Sequence, residues 1–131
     1  MSEPNGGEQT IKIGEVAERT GLSIRSLRHW DEVGLVSPSV HSPGGFRLYT
    51  GADVERILLI RRMKPLGFSL ERMGEFCRAL DARAASDDAA SDPPAADVIT
   101  EVRAEATERL ERLRRHLAYA EEFVEIVERL G

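Results

Sequence analysis

Apolar residues recur three and four positions apart in the first eighty residues, which predicts several short amphipathic helices. The first begins near Ile13 and ends at Gly21, because glycine tolerates the positive φ of a helix C-cap. Ser23 is a suitable N-cap for a second helix, which Gly34 ends. Two short helices joined by a tight turn are typical of a helix-turn-helix.

The segment that follows, residues 35–50, is interrupted by prolines and by two adjacent glycines, which exclude a helix. The alternation in Phe46–Tyr49 predicts a short strand behind a turn, and therefore a hairpin. Two further helices are predicted, one capped by Asp53 and running to about Lys64, the other beginning at Ser69. The first eighty residues thus combine a helix-turn-helix, a hairpin and two more helices.

The chain changes character after residue 80. Residues 81–97 are rich in alanine, aspartate and proline, which predicts a linker whose adjacent prolines interrupt any helix. The alternative for its first residues is that the alanines extend the preceding helix by a turn or two. A long helix is predicted over residues 98–131, with a coiled-coil seam in which apolar residues alternate at spacings of three and four. The seam consists of Leu110, Leu113, Leu117, Ala120, Val124 and Val127. Because nothing else in the chain would cover this stripe, we expect it to pair with a second copy, in either orientation.

Composition limits the possible classes of protein. Aromatic residues make up 5% of the 131 residues, which argues against a β-sandwich or barrel. A single cysteine excludes a disulfide framework and an iron–sulfur cluster. No apolar run approaches the length of a membrane span, and residues 1–10 are expected to form a flexible polar tail without a signal-peptide core. We therefore expect a cytoplasmic protein with no membrane partner.

The charge is distributed unevenly, with a net of +1 in residues 1–80 and −6 in residues 81–131. Only the first part is therefore electrostatically suited to nucleic acid. Four polar or basic residues of the second helix are predicted to point outward and enter a DNA major groove: Arg25, Ser26, Arg28 and His29. The alternative is a small bundle in which this face is only solvated.

The hairpin next to this helix is predicted to form a wing from which Arg47 reaches a phosphate. The alternative is a plain connecting turn, with Phe46 and Tyr49 anchored in the core.

Five stretches together resemble the MerR family of bacterial transcription regulators, in the family's order and spacing: Ile13–Ala17, Gly21–Ser23, Leu27–Leu35, Gly45–Tyr49 and Leu66–Glu71. The resemblance covers residues 11–80 and implies a mainly α-helical fold, in which a winged helix-turn-helix DNA-binding domain precedes a dimerisation helix. It also implies that Tyr49 and Lys64 join the DNA contacts. The family dimerises through an antiparallel coiled coil, so the predicted long helix fits.

The resemblance further implies a homodimer on pseudo-palindromic promoter DNA, associated with the nucleoid and acting with RNA polymerase at the same promoter. Family members bend and untwist an over-long promoter spacer, which is readout by deformation.

The sequence departs from the family's pattern at three places. His29 and Trp30 stand where two aromatics are usual; we expect His29 to face DNA and Trp30 to pack between helix and wing. The wing segment Val40–Pro43 is less basic than is common, which predicts fewer phosphate contacts and a weaker salt dependence. The cysteines of the family's metal sensors are missing, and Cys77 is expected to be a buried small hydrophobe.

We therefore expect no metal, no cofactor and no enzyme activity, since Asp31 and Glu32 have no nucleophile or metal-ligand set beside them. The alternative function is a protein-interaction module that keeps this fold but binds DNA weakly or not at all. Arg25, Arg28 and Arg47 favour the regulator, because a domain that had abandoned DNA would not need them.

Overall fold

The computed structural model describes residues 9–86 and 93–131, which fall into two units, one ending at Lys64 and the other beginning at Pro65. The elements are, in chain order, α1 (Ile13–Thr20), α2 (Ile24–Glu32), β1 (Val40–His41), β2 (Arg47–Leu48), α3 (Gly51–Met63), a 3-10 turn (Lys64–Leu66), α4 (Leu70–Ala84) and α5 (Pro93–Leu130). The prediction of a mainly helical winged fold is confirmed. Residues 1–8 of the predicted tail and residues 87–92 of the predicted linker lie outside the described residues.

The helix-turn-helix forms as its local signals predict. Gly21 adopts a φ of 74°, and its N–H donates to the carbonyl oxygen of Ala17 at 2.9 Å, which ends α1. The hydroxyl oxygen of Ser23 accepts from the N–H of Ser26 at 3.0 Å, which caps α2. Leu27 and Trp30 of α2 are buried, so this face of the helix is anchored in the core of the first unit.

The wing, residues 40–48, is a two-stranded antiparallel hairpin in which Val40 pairs with Leu48 and His41 with Arg47. Its turn is closed by Gly45, which has a φ of 87° and donates to the carbonyl oxygen of Ser42 at 2.9 Å. At the base of the wing, the backbones of Ile11 and Tyr49 exchange hydrogen bonds of 2.9 and 2.8 Å.

Helix α3 begins with a reciprocal capping box, and the prediction that Asp53 is its cap is wrong by three residues. Thr50 is the N-cap, and its hydroxyl oxygen accepts from the N–H of Asp53 at 3.1 Å. The carboxylate of Asp53 accepts in return from the N–H of Thr50 at 2.8 Å. It also accepts from the N–H and hydroxyl of Ser39 at 3.0 and 2.6 Å, which fastens the segment before the wing to α3.

Helix α4 is capped by Ser69 as predicted, but the linker between α4 and α5 is shorter than predicted. Residues 81–84 continue α4, and α5 begins at Pro93 rather than at residue 98. Proline is acceptable in the first turn of a helix because its missing N–H would have no partner there. The adjacent prolines therefore begin a helix instead of interrupting one.

Helices α4 and α5 pack against each other through Ala79, Ala95 and Ile99. Arg72 of α4 also bridges to α5, with guanidinium nitrogens 3.1 Å from Glu101 and 2.8 Å from Glu105. Ile99, which lies before the predicted seam, is therefore covered by α4. From Leu110 onward, every residue of α5 is exposed in the single chain.

Candidate nucleic-acid interface

The outer face of α2 carries three of the predicted DNA-contacting side chains at its surface. Arg25, Arg28 and His29 are all exposed, whereas Leu27 and Trp30 on the opposite face of the helix are buried. Ser26 is half-buried and accepts a hydrogen bond of 3.0 Å from the hydroxyl of Ser23. The Ser26 hydroxyl is thus engaged with the N-cap residue, whereas the three basic side chains lie at the surface.

His29 lies in the last turn of α2, where Nδ1 is 3.9 Å from a carboxylate oxygen of Glu32. This separation is too long for a hydrogen bond, so the imidazole retains both nitrogens for another partner.

Arg47 lies on the wing beside α2, but its guanidinium is already engaged. Nη1 donates a hydrogen bond to a carboxylate oxygen of Asp31, and the two side chains form an ion pair between helix and wing. Arg47 remains 56% exposed, whereas Asp31 is 14% exposed. For Arg47 to contact a phosphate as predicted, its guanidinium has to bind Asp31 and the phosphate at the same time.

A groove of about 530 Å³ lies between the start of α1, the end of α2 and the wing. Lys12, Arg28 and Arg47 contribute cations to its lining, and Asp31 and Glu32 contribute carboxylates. The charges of these five side chains sum to one positive charge. Sequence reasoning assigned no DNA role to Lys12, and only its short distance in the chain from the helix-turn-helix could have suggested one.

The two aromatic residues of the wing have opposite environments. Phe46 is 68% exposed at the turn, which contradicts the alternative that it anchors the core. Tyr49 is 2% exposed, and burial, followed by the nearby carboxylate of Asp31, raises the pKa of its phenol. Burial favours a structural role for Tyr49 over the predicted DNA contact.

Lys64 follows α3, and its Nζ lies 5.8 Å from the centre of the Trp30 ring. A cation over an indole face is attracted by the ring quadrupole. Trp30 is buried, and Lys64 lies over its ring; the expectation that Trp30 packs between helix and wing stays a prediction.

The predicted seam of α5 is exposed along its length in the single chain: Leu110, Leu113, Leu117, Ala120, Val124 and Val127. Further exposed apolar residues follow on a neighbouring face of the same helix: Tyr119, Phe123, Ile126 and Leu130. An apolar surface of this extent marks an interaction site.

Cys77 is buried in α4. Within residues 9–86 and 93–131, no three His, Cys, Asp or Glu side chains cluster closely enough to hold a metal ion. Across the same residues, no helix combines the length and apolarity that crossing a membrane requires.

A winged helix-turn-helix with a basic outer helix face, followed by a long helix with an exposed seam, defines the class of winged-helix regulatory proteins. A family model described as the MerR HTH family regulatory protein matches residues 11–80, more than half of the chain. The protein belongs to the MerR family.

Curated relatives resemble the first part of the chain. The nodulation protein NolA of Bradyrhizobium elkanii is 38% identical over 73 residues, which are 56% of this chain and 33% of NolA. The HTH-type transcriptional activator mta of Bacillus subtilis is 42% identical over 64 residues, 49% of this chain and 25% of mta. The chain therefore spans about a third or less of the length of these relatives.

Solved structures match most of the chain. The N-terminal part of the multidrug transporter activator of Bacillus subtilis, MtaN, is 29% identical, with a TM-score of 0.55 over 90% of this chain and 94% of MtaN. HiNmlR, a MerR family regulator lacking the sensor domain, has a TM-score of 0.65 over 92% of this chain and 86% of its own. At 22% identity, HiNmlR is similar in fold alone.

Proposed function

We propose that this protein is a transcription regulator that binds promoter DNA as a homodimer. The observation that carries the proposal is the exposed basic face of α2, Arg25, Arg28 and His29, beside a wing that bears Arg47. An α-helix fits the major groove, where arginine donates two hydrogen bonds to guanine or one to a phosphate. HiNmlR was solved bound to promoter DNA, and mta is named a transcriptional activator.

The seam of α5 supports pairing with a second copy because its spacing is symmetric. Its residues are spaced 3, 4, 3, 4 and 3 apart, so they lie at equal distances on both sides of the bond between Ala118 and Tyr119. In an antiparallel pair centred there, Leu110 meets Val127 of the other copy and Leu113 meets Val124. Each of the six seam side chains of one helix then meets a seam side chain of the other.

The charges beside the seam favour this antiparallel orientation. With Leu110 at heptad position a, Arg114 and Glu121 occupy e positions, which meet e positions of the other copy when helices run antiparallel. Arg114 of each copy is then beside Glu121 of the other, giving two ion pairs related by symmetry. In a parallel pair, Arg109 at a g position would meet Arg114 instead, and like charges repel.

The two-fold symmetry of such a dimer places two α2 helices on two half-sites of a pseudo-palindrome. The distance between the two α2 helices of the dimer sets the half-site spacing that the DNA has to match. Where the promoter spacer does not match that distance, the DNA must bend and untwist to engage both. We propose this deformation as the regulatory step, with RNA polymerase as the other protein at the promoter.

DNA binding is tested by incubating the purified protein with fragments of its source genome at near-physiological salt and sequencing those retained. We expect enrichment of a pseudo-palindrome between promoter elements. Arg28→Glu should lose this enrichment while remaining a dimer by sedimentation. Arg83→Glu, which makes the same change of charge at an exposed site on α4, is the matched control and should retain it. Equal retention of fragments by wild type and Arg28→Glu would contradict the proposal and favour the protein-interaction module.

Helix orientation is tested by disulfide cross-linking of seam cysteines introduced into a Cys77→Ala background, so that each variant carries one cysteine. We expect a mixture of Leu113→Cys and Val124→Cys chains to form cross-linked heterodimers under mild oxidation. Neither variant should cross-link alone, because eleven residues at about 1.5 Å of rise separate these positions along the helix. Cross-linking of Leu113→Cys with itself would indicate a parallel pair.

A further inference from the structure

We propose that Asp31 is a positioning residue for DNA binding, which holds the wing against α2 through Arg47. This inference rests on the proposed function. Asp31 lies near the end of α2 and Arg47 begins β2, so their ion pair joins the two elements that are proposed to contact DNA.

The wing has few other attachments near its turn. Its strands are two residues long, and the backbone pairing of Ile11 with Tyr49 lies at its base. Residues 43–47, which include the turn, are exposed. The contact between Arg47 and Asp31 therefore restrains a part of the wing that its own short strands secure only weakly.

A carboxylate in this position requires an explanation, because it lies where phosphates would approach. Asp31 lines the same groove as Lys12 and Arg28, and its negative charge opposes theirs. Glu32 beside it is 76% exposed, whereas Asp31 is 14% exposed and is covered in part by the wing. The burial and pairing of Asp31 distinguish it from a merely solvated acid.

The ion pair leaves Arg47 able to contact DNA. A guanidinium has five N–H donors, and the hydrogen bond to Asp31 uses one of them. A phosphate oxygen can accept another donor of the same guanidinium. Asp31 thus fixes the orientation of Arg47 before DNA arrives, which lowers the conformational entropy that binding must remove.

The substitution Asp31→Asn tests this role because the two explanations predict opposite signs. If Asp31 only repels DNA, loss of its charge strengthens binding to every DNA. If Asp31 positions the wing, binding to the selected pseudo-palindrome weakens by about tenfold, while binding to unrelated duplex does not weaken. Glu32→Gln is the matched control and should strengthen binding to both DNAs slightly.

Amide hydrogen exchange in the protein without DNA separates failure of this inference from failure of the proposed function. We expect Asp31→Asn to accelerate exchange at residues 40–48 while the exchange of α1 and α3 is unchanged. Unchanged exchange in the wing, or tighter binding of both DNAs by Asp31→Asn, would overturn the positioning role. If the wild type has no sequence preference, the proposed function fails. Amide hydrogen exchange at residues 40–48 then decides by itself whether Asp31 holds the wing against α2.

Discussion

Replacement of Asp53 with alanine should destabilise the first unit strongly, because this carboxylate joins the start of α3 to the segment before the wing. Asp53 is 8% exposed and accepts from the N–H of Thr50 at 2.8 Å. It also accepts two hydrogen bonds from Ser39, the residue before the wing. Asp53→Ala therefore removes the link between the start of α3 and the segment that leads into β1.

The magnitude follows from which donors lose their partner. Thr50 is buried, so its N–H is left without an acceptor, at a cost of about 1–3 kcal/mol. Ser39 is exposed, so water replaces most of what its two donors lose. Removal of a negative charge from the first turn of α3 contributes about 0.3–1 kcal/mol more. We expect the free energy of unfolding to fall by about 3 kcal/mol in total.

Urea unfolding followed by tryptophan fluorescence measures this loss. Trp30 is the single tryptophan of the chain and is buried in the same unit, so its emission reports the unit that contains Asp53. The protein concentration is held constant, because the proposed dimerisation would make the apparent stability depend on it. The slope of free energy against urea should remain that of the wild type.

The matched control is Glu55→Ala, which removes an exposed acid two residues further along the same helix. We expect its stability to lie within about 0.5 kcal/mol of the wild type. A loss of less than about 1 kcal/mol for Asp53→Ala, or a loss equal to that of Glu55→Ala, would refute the reasoning.

Three further predictions concern DNA binding, pH and assembly. His29→Ala should weaken binding to the selected DNA and reduce its salt dependence; unchanged titrations at several salt concentrations would contradict the assignment. Hydrogen bonding by Arg72 lowers the pKa of Glu105 below its ordinary value of 4.5. The contribution of this pair to the free energy of unfolding is therefore complete above pH 4.5, and it is lost as the pH falls through the lower pKa of the folded protein. Urea unfolding followed by circular dichroism should show this loss in the wild type, and its absence in Arg72→Gln. Leu117→Glu should convert the dimer to monomers in sedimentation experiments, whereas Ala118→Glu, off the seam, should not.

Local signals in the sequence determined the helices of the first unit. The turn at Gly21 and the cap at Ser23 depend on backbone conformation and on one side chain next to it in the chain. The resemblance to the MerR family rests on the same region, and the family match to residues 11–80 confirms it. The capping residue of α3 was predicted wrongly because Thr50 and Asp53 both suit a cap. The extended backbone of Thr50 decides between them.

Alternation along the wing indicated a strand but not its orientation. Phe46 and Tyr49 are three residues apart, so an alternating strand points them to opposite faces and only one can enter the core. Packing decides in favour of Tyr49, which is buried in the core of the first unit, whereas Phe46 is exposed. The alternative interpretation, in which both residues anchor the core, overlooked this parity.

The amino-acid sequence by itself determined the helices, the hairpin, the family and the symmetric seam of α5, because each depends on neighbouring residues or on a repeat. The tertiary structure decided which charges meet. Asp31 and Arg47 are sixteen residues apart, and Arg72 and Glu105 are thirty-three residues apart. No periodicity links such distant positions, since only the folded chain brings their side chains within a few ångströms. The positioning role proposed for Asp31 therefore comes from the fold, whereas the basic face of α2 and the wing position of Arg47 can be read from the sequence.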